Sequence, residues 1–167
     1  MNRVLNQFEQ QIKSETDAIY LRYQEELREF CGQVSNGQTG NNEISQDIHQ
    51  AFNDELYENI LKKYMNMTIE KIAERIYVAS PNKISAYKKR NSTFLKNKYN
   101  VIRFGLGLEL PLSDFCRFLW SRGYAFPASE FDYDLIDLYI KEGKYLDALS
   151  DYEYELTHKG EKEKIKP

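Results

Sequence analysis

Between Arg75 and Leu108 the chain carries eight basic residues, Arg75, Lys83, Lys88, Lys89, Arg90, Lys96, Lys98 and Arg103, and not one acidic residue. The protein as a whole is acidic, with 23 Lys plus Arg against 26 Asp plus Glu. The chemistry such a window suits is phosphate neutralisation, in which each Lys or Arg displaces counterions and a carboxylate would repel the polyanion. Residues 81–89 sharpen the reading. On a wheel of 100° per residue, Ile84 and Tyr87 point inward, while Asn82, Ser85, Ala86 and Lys89 form one outward face. The DNA major groove admits a helix and rewards those types: Asn on adenine, Lys on guanine, Ser on either, Ala against a thymine methyl. Lys83, Lys88, Arg90, Lys96, Lys98 and Arg103 would contact phosphates beside it. The plainer alternative is an ordinary solvated helix face.

Other chemistry finds little footing. His49 and His158 are the two histidines, and neither belongs to a recognisable Ser or Cys triad, so no catalytic residue and no enzyme is expected. The glycines of FGLGLEL precede no phosphate-loop Lys-Ser or Lys-Thr and suggest close packing. Asp132, Asp134 and Asp137 do not fit a calcium loop and suggest a solvated acidic surface, with Asp132 aiding a helix N-terminus. Cys31 and Cys116 lack metal-ligand spacing and are expected to be reduced thiols, Cys116 in a core helix. No metal and no cofactor is expected. Phe115, Phe118 and Leu119 share a face and suggest core. Trp120 is expected to be half-buried against Tyr124 and the last helices, or to serve an interface.

The elements that must position these residues are all helical; alternating strand patterns are absent. Leu5, Phe8, Ile12, Ile19, Tyr23, Leu27 and Phe30 make one stripe on a long helix over residues 3–31. VSNGQTGNNE, residues 34–43, reads as a flexible linker. Helices are expected over 45–65, 69–77 with Thr68 as cap, and 81–89 with Ser80 as cap and Pro81 in the first turn. Further helices are expected over 98–108, from Ser113 as cap to Arg122 with Gly123 closing it, from Ser129 to Gly143, and over 146–156. The domain scheme is an N-terminal arm (1–33), a linker (34–43), a helical domain (44–157) and a charged tail (158–167).

MTIEKIAERIYVASPNKISAYKK resembles the helix-turn-helix of XRE, or lambda-repressor-like, regulators, through Thr68 as cap, Ala73 packed on the next helix, and Ile84-Ser85. It departs from that pattern at Tyr77, where the family usually has Gly, and by one extra residue before Ile84; both re-aim the second helix. YNVIRFGLGLELPLSDFCRFLWSRGYAF and SEFDYDLIDLYIKEGKY resemble the segments downstream of such helices in proteins of Gram-positive bacteria and their mobile elements. The resemblance spans about residues 55–145 and implies a compact all-α domain with a helix-turn-helix core.

The expected function is a cytoplasmic, sequence-specific regulator of double-stranded DNA. The apolar runs are too short to span a membrane, and MNRVLNQFEQQ lacks a signal-peptide core. A helix of nearly thirty residues cannot bury its stripe alone. It could pair with a second copy, dock on its own domain or seize another protein; homodimerisation is favoured, with half-sites about 34 Å apart. The rival reading is a phage- or mobile-element interaction protein whose basic face occupies a nucleic-acid site on a host protein. RNA binding is weaker, because the outward face is poor in aromatics.

Overall fold

In a computed structural model of the protein, residues 4–34, 46–66, 68–75 and 93–158 are described. Among these residues every regular element is a helix, in agreement with the all-α expectation. The expected linker at 34–43 lies almost wholly outside them, as does most of the tail.

The long first helix, α1 (Gln7–Val34), starts later than the apolar stripe suggests. Its start is set by a reciprocal cap: Asn6 Oδ1 accepts from Glu9 N at 2.9 Å, and Asn6 Nδ2 donates to Glu9 Oε1 at 2.6 Å. Helix α2 (Gln46–Tyr64) buries Phe52, Leu56, Tyr57, Ile60 and Leu61 on one side. The short α3 (Ile69–Arg75) buries Ile72 and Ala73, and Thr68 Oγ1 accepts from Lys71 N at 3.3 Å. A 3-10 turn (Thr93–Lys96) leads to α4 (Lys98–Gly107), capped by the buried Asn97, whose Oδ1 accepts from Tyr99 N at 2.8 Å.

Helix α5 (Leu112–Ser121) is the centre of the fold, touching α1, α2 and α4. Ser113 does not cap it. Pro111 holds the cap position without a side-chain bond, and its carbonyl accepts from Phe115 N at 2.8 Å. Its φ of −65° and ψ of 162° give the extended backbone that an N-cap position takes. Gly123 closes α5 at φ 87°, a left-handed value that disfavours a Cβ. Ser129 caps α6 (Glu130–Leu135), which runs into a π turn (Ile136–Ile140); α7 (Tyr145–Asp151) and the helical segment 153–158 complete the described chain.

The core is aromatic. Tyr57 stacks on Phe118 with ring centroids 5.2 Å apart, and Phe104 meets Phe118 edge-on at 5.9 Å. Gly105 permits the approach of α4 to α5, since a Cβ there would lie 2.9 Å from the Phe115 ring. The expectation of close packing for this glycine is met.

The largest departure concerns α1. Its stripe is spent on the chain's own body: Ile12, Tyr23 and Leu27 are buried, and Leu5, Ile19 and Phe30 are partly buried against the same core. Tyr23 and Phe30 each lie 5.5 Å from Phe52 of α2. Lys141 pairs with Glu15 at 2.9 Å, and Arg117 of α5 pairs with Glu26. Of the dimer or partner interface expected at Leu5, Phe8, Ile12, Ile19, Tyr23, Leu27 and Phe30, all but Phe8 are packed on the chain's own core instead. Docking on its own domain is the arrangement that removes this apolar surface from water. Phe8 alone of the set is left 68% exposed.

Candidate functional site

Asn82, Lys83, Ser85, Ala86, Lys88, Lys89 and Arg90 lie outside the described residues. The structure describes the frame around them. α3 precedes the segment, with Ile72 and Ala73 inserted in the core and its polar side outward. The 3-10 turn comes after it, anchored by the buried Leu95, whose carbonyl accepts from the Tyr124 hydroxyl at 2.5 Å.

The described cations of the window divide by their partners. Lys96 is exposed. Arg75 pairs with Glu109 at 3.1 Å, and Arg103 Nη2 donates to Thr157 Oγ1 at 3.1 Å. Lys98 is the correction. Its Nζ donates to Asp132 Oδ2 at 2.7 Å, with the two side chains 16% and 1% exposed. A carboxylate this buried requires a counter-charge, so Lys98 is a structural cation and is withdrawn from phosphate contact. Asp132 is corrected in the same stroke. It serves a helix N-terminus as expected, accepting from Ala128 N at 2.8 Å, but it does so inside the core. Asp134 remains exposed.

A second polar cluster ties α1, α2 and α5 together. Asp114 is buried and accepts from the Tyr64 hydroxyl and from Arg117 Nη1 at 3.1 Å, with Lys63 Nζ 3.5 Å away. Burial, reinforced by Asp114, raises the Tyr64 hydroxyl above its ordinary value. Arg122 pairs with Asp54 at 2.8 Å while lying 4.4 Å over the Tyr57 ring. Both clusters hold helices in register.

Cys116 is buried, and burial raises its thiol to about 12, which makes it unreactive near neutrality. Cys31 is half-buried, and neither cysteine is in a disulfide. His49 is exposed, with Nε2 3.3 Å from the Tyr23 hydroxyl, and the His158 ring stacks on Tyr154 at 3.9 Å. Among the described residues no group of His, Cys, Asp and Glu could hold a metal ion, and no helix is long and apolar enough to cross a membrane.

Sequence reading missed a surface cleft between α1, α2, α5 and the 123–127 turn. Trp120 belongs to it. The indole is half-buried, but against Tyr20 and Tyr23 of α1, at 5.1 and 5.4 Å, as well as beside the turn that holds Tyr124. The only signal in the sequence was the density of Tyr on the Trp-facing side of the first helix.

No family model, curated protein or solved structure matches the chain.

Proposed function

We propose that the protein is a regulator that binds double-stranded DNA through α3 and the segment 81–89, which the sequence alone reads as a second helix. The observation that carries this reading is α3, capped at Thr68 and seated in the core by Ile72 and Ala73, directly ahead of a carboxylate-free stretch bearing Lys83, Lys88, Lys89 and Arg90. In this reading Asn82, Ser85, Ala86 and Lys89 contact base edges. With Arg75, Lys98 and Arg103 engaged internally, phosphate contacts fall to Lys83, Lys88, Arg90 and Lys96. Counterion release from about four phosphates gives a slope of log K against log salt near −3.6 per chain.

Fluorescence anisotropy with a labelled duplex pool across rising salt tests this. Binding that weakens with about that slope, and less steeply in Lys88→Ala, supports the reading. Absent or salt-insensitive binding overturns it.

A further inference from the structure

The cleft between α1, α2, α5 and the 123–127 turn is an open groove of about 470 Å³, within the range of small-molecule sites. One wall is a triad of rings. Tyr20 meets Trp120 edge-on at 5.1 Å and stacks on Tyr23 at 5.7 Å, and Tyr23 lies 5.4 Å from Trp120. Tyr20 is exposed and Trp120 half-buried, so ring surface is open to the cleft.

The polar wall is formed by Tyr23, His49 and Asn53. Tyr23 has a single hydroxyl hydrogen, and it goes to Asn53 Oδ1 at 2.6 Å. The 3.3 Å contact between the same hydroxyl and His49 Nε2 then requires the imidazole to donate. Neutral His49 is thereby the Nε2–H tautomer, with Nδ1 left as an acceptor. Asn53, its oxygen used, offers the hydrogens of Nδ2. The Trp120 indole N–H is already given to the Phe126 carbonyl at 3.2 Å. At the rim Lys13 and Asp17 pair with each other at 2.7 Å, so no net charge is presented there.

An open aromatic surface, one amide donor, one imidazole acceptor and a neutral rim describe a specific kind of guest. We infer that this cleft binds a small, uncharged, planar heteroaromatic molecule. Its face lies against Tyr20 while Trp120, at 77° to that ring, meets the guest edge-on, and the guest's polar edge accepts from Asn53 and donates to His49. Because α1 forms one wall and the body the other, occupancy also strengthens the docking of α1. This inference does not rest on the nucleic-acid reading and is tested without DNA.

The probe is isoquinolone, whose lactam sets a carbonyl acceptor beside an N–H donor, with its N-methyl derivative as the comparison. Trp120 is the single tryptophan, so its indole N–H gives one resolved ring resonance as a reporter. Isoquinolone should shift that resonance saturably at millimolar concentration, and the N-methyl derivative should bind several-fold more weakly. Tyr20→Ala, at an exposed position, and Asn53→Ala should each weaken binding roughly tenfold, the equivalent of one such interaction. An indole resonance that does not move on titration overturns the inference. So does equal affinity for the two probes, or unchanged affinity in Tyr20→Ala, whose fold is not at risk.

Discussion

Arg75 opens the carboxylate-free window and Glu109 is the first acidic residue after it, and the two are joined, Nη1 to Oε1, at 3.1 Å. The pair ties the end of α3 to the residues after α4, holding the flanks of the intervening segment at a set separation. Glu109 reaches this position with φ 57°, in the left-handed region that favours glycine. Its backbone N–H donates to Leu106 O at 3.1 Å, and Leu110 N donates to Gly105 O at 3.2 Å, so helix closure compels the conformation.

Two substitutions separate the strain from the charge. Glu109→Gly relieves a cost of about 1 kcal/mol and loses an exposed pair worth at most about 1 kcal/mol, so urea midpoints should change little. Glu109→Val keeps the strain, adds β-branching and loses the pair; it should cost about 1–2 kcal/mol.

The buried pair gives a sharper outcome. Asp132→Ala leaves the Lys98 ammonium without its partner in a largely desolvated site and should cost about 3–5 kcal/mol in chemical denaturation. The double replacement Lys98→Met with Asp132→Leu should recover part of that loss, because no charge is then stranded, while the Ala128 N–H still loses its acceptor. In binding assays Lys98→Met with Asp132→Leu should leave the salt slope unchanged, whereas Lys96→Ala should reduce it by about 0.9.

Gly105→Ala tests the contact between α4 and α5. Alanine ordinarily favours a helix interior by about 1 kcal/mol over glycine. Here its Cβ would sit 2.9 Å from the Phe115 ring, which is buried and also packs on Phe126 at 5.4 Å. Overpacking should win, with a net loss of about 1–3 kcal/mol by thermal or urea unfolding. Phe115→Leu in the Gly105→Ala background should give a smaller loss than the two single changes added together.

Alkaline titration has a defined sign. A carboxylate partner, Asp151, together with burial, raises the Tyr139 hydroxyl to about 12, and burial raises Tyr23, Tyr64, Tyr145 and Tyr152 above 10. For each, the folded state holds the proton more tightly than the unfolded state, so the contribution to stability is complete below pH 10. It is lost as pH rises through the folded values. Absorbance near 295 nm should show these five tyrosines ionising late, above pH 10, with loss of helical circular dichroism accompanying them. Tyr139→Phe should remove one late transition.

Much of this fold was determined by the sequence alone, because its signals act over three or four residues. The cap at Thr68, the cap at Ser129, the turns at Gly123 and Gly143 and the stripe from Ile12 to Leu27 all depend on neighbours within a helical turn. Only the tertiary structure decided where charges and apolar stripes are spent. Lys98 looked like a phosphate ligand until a carboxylate 34 residues further on was brought to 2.7 Å. The first helix looked free for a second copy until Phe52, Arg117 and Lys141 met it from three different elements. The cleft, with Asn53, Trp120 and the 123–127 turn drawn beside Tyr20 and Tyr23, exists only once α1 has docked. Local propensity is written in short stretches of chain, whereas the choice of partner across tens of residues is set by how helices pack to exclude water, and no spacing rule records it.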